Sequence, residues 1–221
     1  MSAIFFGSIS TLADTSELQR RAFNEAFAAH GLDWSWSRDD YVAMLGSNGG
    51  AQRIADYAES RGDDVDAASL HVEKSKIFQK LLGSARLQPR PGVLDTVEAA
   101  KRDNHKLAFV TTTSRDNVAA LLTALEPTIT AETFDLIVDS DSVERPKPDA
   151  AVYQLVLDRL GEDPGNAVAI EDNVGGVRSA TAAGIRCVAF PNENTVDGDF
   201  SAATETVDAL DAGRIVGLAA S

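Results

Sequence analysis

Residues 3–15 read AIFFGSISTLADT. Ala3 to Phe6 are four consecutive apolar residues, which is the length and character of a short buried strand. A brief loop follows, and a helical pattern begins at Thr15. Gly7 and Ile9 stand in that loop, and neither carries a nucleophilic or titratable side chain. What the strand belongs to, and what its end can do, depends on the rest of the chain.

From Thr15 to Gly83 the pattern is helical, with no strand signal. TSELQRRAFNEAFAAHG has a hydroxyl N-cap, apolar Leu18, Ala22, Phe23, Ala26 and Phe27 at helical spacing, and Gly31 as a stop. GGAQRIADYAESRG and AASLHVEKSKIFQKLLG continue in the same way. LQPRPG (87–92) then punctuates the chain with two prolines.

Beyond it, helix and strand alternate. VLDTVEAAKRD leads to the strand KLAFVTT, RDNVAALLTAL to FDLIVDS, AAVYQLVLDRLG to AVAIED, and NVGGVRSATAAG to IRCVAF. Apolar strands separated by amphipathic helices predict an α/β fold, a parallel sheet with helices on both faces. Strand 3–6 belongs to that sheet, so the helical block interrupts the α/β unit. The expected division is residues 1–14 and 85–221 as the α/β core and 15–84 as an inserted helical domain. The chain's 221 residues and 44% hydrophobic content suffice for one such core plus a small insert.

A net charge of −14 disfavours nucleic acid and anionic membrane as partners. The acids are spread along the chain, as in RGDDVDAA and ETVDALDAG, which reads as a solvated surface. No basic-then-apolar leader and no bilayer-length apolar run occurs, so a cytoplasmic location is expected. The single cysteine, Cys187 in IRCVAF, excludes an internal disulfide and reads as a buried structural thiol.

In open parallel sheets, ligands sit beyond the carboxyl ends of the strands. Four segments fall there. FVTTTS places Thr111 and Thr112 before a helix, either as capping hydroxyls or as an anion site. ERPKPD presents Lys147 just ahead of another helix. AIEDNVGG presents Glu171 and Asp172, which are either helix-capping acids or hard oxygen ligands suited to Mg²⁺. The first strand end contributes Gly7 to Thr11.

In this order on one sheet, the segments resemble the haloacid dehalogenase-like hydrolases. The likeness is to the subgroup with a helical cap after the first strand, and within it to the CbbY-like sugar-phosphate phosphatases and β-phosphoglucomutase relatives. FGSISTLADT fits the frame of the family's first motif without gaps, with Thr11, Leu12, Asp14 and Thr15 in agreement. The second motif's hydroxyl falls on Thr111, the third motif's lysine on Lys147, and the fourth motif's acids on Glu171 and Asp172. The resemblance implies a Rossmann-like core, Mg²⁺ as cofactor, and a phosphorylated small metabolite as ligand. It also implies phosphate contacts from Thr111, Thr112 and Lys147, and a metal held in part by Asp172 and Glu171.

The same frame puts the family's attacking aspartate at residue 7 and its acid/base aspartate at residue 9. Here these are Gly7 and Ile9. The resemblance therefore implies a catalytically impaired member with weak or absent Mg²⁺ binding, and a Lys147 freed to pair with Asp172. Ser8, by strand alternation, is expected to point away from the lost carboxylates. GSNGGAQRI corresponds to the cap's specificity loop, so Asp14, Arg20, Gly49, Gly50 and Arg53 are candidate substrate-side residues. Arg20, Arg21 and Arg53 read equally as surface charge. Gln19 and Ala51 stand where the family carries a histidine and a lysine. Three functions remain open: a pseudo-phosphatase that binds a phosphorylated metabolite or a protein, a working hydrolase with another nucleophile, and an interaction module with Trp34 and Trp36 as anchors. For the tryptophans, packing inside the helical block is the favoured expectation.

Overall fold

The computed structural model describes residues 2–46 and 49–220. Strand β1 (Ala3–Phe6) runs into a single helical turn, α1 (Ile9–Leu12). Four helices follow: α2 (Ser16–Ala29), α3 (Arg38–Ala43), α4 (Gly50–Arg61) and α5 (Ala67–Ser84). The chain then alternates through α6 (Val93–Arg102), β2 (Lys106–Val110), α7 (Arg115–Leu125), β3 (Leu136–Val138), α8 (Ala151–Leu160), β4 (Ala167–Glu171), α9 (Val174–Ala182) and β5 (Arg186–Ala189). It ends with β6 (Glu205–Thr206) and α10 (Ala212–Ala219).

The six strands form one sheet in the order β3-β2-β1-β4-β5-β6, and every pairing is parallel. The expected α/β architecture is therefore present, with β1 at the centre between β2 and β4. Side chains alternate across the sheet as the pleat requires. Ile4, Phe6, Leu107, Phe109, Val168, Ile170 and Val188 face α5, α6, α7 and α10 in one apolar cluster. Phe5, Ala108, Val110, Ala169 and Cys187 face α8 and α9 in another. Cys187 is fully buried, as anticipated.

The helical block has its own core of Phe23, Phe27, Trp34, Trp36, Tyr41, Ile54 and Leu70. Four elements were not anticipated. α1 is a single helical turn where a loop was expected. α3 is short, but its start carries a legible signal: Ser37 and Asp40 form a reciprocal capping box. α10 contains two glycines that mask its apolar face, which Ile215, Leu218 and Ala219 nevertheless bury. β6 is a two-residue edge strand, too short for a periodic signal.

Candidate functional site

The carboxyl ends of β1, β2 and β4 meet at Lys147. Its ammonium donates to the carbonyls of Gly7 and Val110 (2.7 Å to the latter) and to Glu171 Oε1 (2.6 Å). An ammonium has three donors, and these three acceptors match them. Sequence reasoning paired Lys147 with Asp172; the ion pair forms with Glu171 instead, because Glu171 reaches into the space beside Gly7. Tyr153 from α8 donates to the same Glu171 oxygen at 2.6 Å. Glu171 is fully buried, and its acidity is weakened first by that burial, with the Lys147 charge acting in the opposite direction. Tyr153 is pushed well above its ordinary range, by burial first and by the Glu171 charge second.

Asp172 is satisfied by neutral donors. Its Oδ1 accepts from Ser8 Oγ and from Asn173 Nδ2, both at 2.7 Å, and its Oδ2 accepts from Asn192 Nδ2 at 2.8 Å. Ser8 thus faces the acid rather than pointing away from it. Strand alternation ends at Phe6, and Ser8 is already the N-cap of α1, so the period of two no longer governs it. Gly7 continues the sheet only through its N–H, which donates to Ile170 at 2.8 Å. Ile9 turns inward and joins the apolar cluster of β1, α5 and α6.

The remaining expected residues fall around this centre. Thr111 is buried at the end of β2, and its hydroxyl accepts from the Thr113 N–H at 3.2 Å; Thr112 is half-buried beside it. Asp14 caps the start of α2 by accepting from both the N–H and the hydroxyl of Ser16. Arg20 forks onto Glu17 and reaches the Trp36 carbonyl at 2.9 Å. Arg21 pairs with Glu25 on the surface. Gly49 adopts a φ of +82° ahead of α4, a conformation glycine accepts without strain. A β-carbon on Gly50 would meet His71 at 2.5 Å. In the loop GSNGGAQRI, Ser47 and Asn48 lie outside the described residues.

Arg53 is buried, donating to the Met44 carbonyl and lying over the rings of Phe23 and Tyr41. Near it is a residue that sequence reasoning missed. Lys74 is buried between the rings of Phe23 and Phe78 and donates to Gln19. Burial, and then the Arg53 charge, lower its pKa to about 7. His71 is lowered to about 4, by burial first and then by Lys74 and Arg53. A signal existed: Leu70, Lys74, Phe78 and Leu82 recur every fourth residue, so the lysine sits on the apolar stripe of α5.

The helical block meets the α/β unit at Asn194, which was also missed. Asn194 donates to Glu17 of α2 at 2.9 Å and accepts from Arg38 of α3 at 2.8 Å. Its own N–H donates to Asn192, the residue that holds Asp172. Trp34 and Trp36 are buried in the block's aromatic core, so neither is available as an exposed anchor.

The donor set fits Mg²⁺ poorly. A magnesium site wants carboxylate oxygens free to reach about 2.1 Å with octahedral geometry. Here one acid is locked to a lysine and a tyrosine, and the other already accepts three hydrogen bonds. Among the described residues no cluster of three or more His, Cys, Asp or Glu is arranged to hold a metal. No chemical step is assigned to a metal in this chain.

A family model described as haloacid dehalogenase-like hydrolase matches residues 10–190. Protein CbbY of Cereibacter sphaeroides is 40% identical over 220 residues, covering 98% of this chain and 96% of that protein. The crystal structure of CbbY from Rhodobacter sphaeroides in complex with phosphate matches with a TM-score of 0.87 at 38% identity, with 95% of each chain covered. A mutant of that protein in complex with xylulose-(1,5)bisphosphate matches equally well. With its parallel sheet, its strand-end motifs and these relatives, the chain belongs to the haloacid dehalogenase-like hydrolases, in their CbbY-like branch.

Proposed function

We propose that this chain is a pseudo-phosphatase: it recognises a phosphorylated small metabolite through a CbbY-like fold and does not hydrolyse it at an enzymatic rate. The observation that carries this is the content of the first strand end. Before Asp14 the chain has no carboxylate at all, and the place beside Gly7 is filled by Glu171. The aspartyl-phosphate route needs an oxygen nucleophile at that place and an acid/base two residues on. Removing a nucleophile costs roughly 10⁶ in turnover in a well-studied hydrolase. Set against a typical turnover of about 10 s⁻¹, the remainder is on the order of one event per day.

Recognition rests on the cations that survive. Arg53 and Lys74 are buried in the helical block, close enough for the Arg53 charge to help lower the pKa of Lys74, and the block carries the candidate contacts Gly49, Gly50 and Arg20. An anion seated between them would relieve that repulsion. The relatives matched in complex with phosphate and with xylulose-(1,5)bisphosphate favour a phosphorylated sugar as the class. Residues 15–84 serve as the cap over a core formed by 1–14 and 85–221, and the protein acts in the cytoplasm without Mg²⁺.

A second reading has one observation in its favour. Ser8 Oγ donates to Asp172 at 2.7 Å, the geometry of a hydroxyl beside a base. Asp172 also accepts from Asn173 and Asn192, so both of its oxygens are already engaged. A screen of sugar phosphates and p-nitrophenyl phosphate with Mg²⁺, run on the native chain and on Ser8→Ala, decides between the two. Phosphate release at background level, with a thermal shift from inorganic phosphate that does not need Mg²⁺, is the expected result. Release at ordinary enzymatic speed that vanishes in Ser8→Ala overturns it.

A further inference from the structure

The candidate contacts on both sides of the junction between the helical block and the α/β unit are closed to solvent. Thr111 and Asp172 are 4% and 5% exposed on one side, and Arg53 and Lys74 are 8% and 4% exposed on the other. A solute the size of a sugar phosphate cannot reach them unless part of the chain moves. The block is the part built to move, because only the stretches 13–15 and 85–92 connect it to the core. Near those linkers the junction is apolar: Phe78, Leu81 and Leu82 of α5 share one buried cluster with Val118, Leu121 and Leu122 of α7. There the Arg90 N–H also donates to the Leu12 carbonyl at 2.9 Å, pairing the outgoing and returning chain.

At α2 and α3 the junction is polar instead. Arg38, exposed at the start of α3, donates from Nε to Asn194 Oδ1 at 2.8 Å and from Nη2 to the Glu193 carbonyl. Asn194 Nδ2 donates to Glu17 Oε1 of α2 at 2.9 Å. The loop that receives these contacts is fixed to the core. Arg90 donates to the carbonyls of Phe190 at 2.7 Å and Pro191 at 2.6 Å. The Thr195 hydroxyl donates to the Asp172 carbonyl at 2.6 Å, and the Asn192 amide to the Asp172 carboxylate at 2.8 Å. A rigid catch therefore meets a helix start that water can reach. Hydrogen bonds at such a place exchange for water at small net cost, whereas the buried apolar contact resists separation. The polar side is the one that can part.

We propose that Arg38 is a latch: from α3 it grips residues 193 and 194 and holds the helical block shut on the α/β unit. The block opens by turning about the α5–α7 contact and the paired linkers. Every member of the latch belongs to this chain, so closure is a resting property of the protein. A solute enters only during the fraction of time in which the latch is undone. Both Arg38 bonds are charge-assisted, so losing them raises the open fraction roughly tenfold or more. None of this depends on which ligand the chain recognises, or on whether it recognises one.

Double electron–electron resonance on the full chain tests the latch. Spin labels go on Glu59→Cys in α4 and Asp197→Cys just past the catch, both exposed positions, while the native Cys187 is fully buried. With the latch intact, one distance is expected. Arg38→Ala and Glu17→Ala each add a longer one. Arg21→Ala, whose partner Glu25 lies on the same helix, changes nothing. Glu17→Ala also loses the Arg20 pair, so Arg38→Ala decides should the two differ. An unchanged distance in Arg38→Ala overturns the latch. So does a prominent longer distance before any latch residue is changed, or an equal effect in Arg21→Ala. Inorganic phosphate, added to the same samples, keeps this question apart from ligand recognition. Opening in Arg38→Ala with no thermal shift from phosphate in any sample sinks the recognition reading and leaves the latch standing. A phosphate shift with a distance indifferent to Arg38 does the reverse.

Discussion

The Glu171 carboxyl group lies against Gly7, with 2.2 Å between its carboxyl carbon and the position of a residue-7 β-carbon, so a side chain there would have to shift it. Two positions 164 apart in the chain thereby share one space, because β1 and β4 are hydrogen-bonded neighbours in the sheet. The glycine at 7 leaves room for the Glu171 carboxyl group by lacking a side chain; its φ is not among the positive values.

Gly7→Ala therefore destabilises the protein by overpacking. Forcing one methyl group into a filled interior typically costs about 1–3 kcal/mol. For a chain of this size that lowers the melting temperature by roughly 3–10 °C. Gly83→Ala provides the opposite sign: it lies in α5 with nothing within 4 Å of its added β-carbon, and alanine gains about 0.5–1 kcal/mol in a helix. Calorimetry on the two variants should show shifts in opposite directions, and a Gly7→Ala melt unchanged from the native would contradict the packing described.

Ile9→Asp is expected to unfold the protein more readily rather than to restore proton transfer. Ile9 is 7% exposed and packs with Leu12 and the α5 and α6 side chains. An unpaired carboxylate there costs on the order of 3 kcal/mol, against about 0.5–1.5 kcal/mol for Ile9→Val. Burial raises the new carboxyl's pKa above its unfolded value. The folded state then binds the proton more tightly, so the variant's deficit is smallest at low pH and grows as pH rises through the raised pKa. Urea midpoints at acidic and neutral pH check this; a deficit that shrinks with rising pH would refute it.

The fold was legible because its signals are local. AIFF, KLAFV and AVAIE are apolar runs bounded by helices, and the observed strands match them to within a residue or two at their ends. The site was legible only as a set of positions. Gly7, Thr111, Lys147, Glu171 and Asp172 all appear at strand ends, yet which acid Lys147 chooses depends on a vacancy at residue 7 that only three-dimensional packing exposes. Tyr153, Asn192 and Asn194 were invisible for a related reason. A tyrosine on an apolar helix face or an asparagine in a loop carries no spacing signal, and their roles arise from the approach of distant segments.

Trp36→Ala should test the block's own core. Trp36 is fully buried, with ring centroids 4.8 Å from Phe23 and 4.6 Å from Phe27, and its carbonyl accepts from Arg20 and Asn24. Truncating a large buried aromatic costs about 3–5 kcal/mol. The expected signature is a loss of near-ultraviolet circular dichroism and an early melting phase. A variant with native stability and altered partner binding would instead make the tryptophan a docking residue.

Lys74 sets a pH dependence that can be signed in advance. Its pKa falls from 10.5 to about 7, by burial first and the Arg53 charge second. The unfolded chain therefore holds this proton across the interval from about 7 to 10.5 while the folded chain releases it, so stability attributable to Lys74 rises with pH over that interval. Below pH 7 the ammonium is charged in both states and its burial penalty, on the order of a few kcal/mol, is carried in full. His71 reinforces the trend at lower pH: its pKa drops from 6.5 to about 4, so stability from this group rises between those values and levels off above. Lys74→Met removes the charge and keeps much of the volume, so it should raise stability most at pH 6 and least at pH 10. Inorganic phosphate should act in the opposite sense, because an anion beside Lys74 and Arg53 favours the ammonium. Binding at pH 8 is then accompanied by proton uptake, visible as a dependence of the calorimetric enthalpy on the buffer's ionisation heat. Enthalpies that do not vary with buffer, together with a Lys74→Met variant that retains phosphate affinity, would place the anion elsewhere.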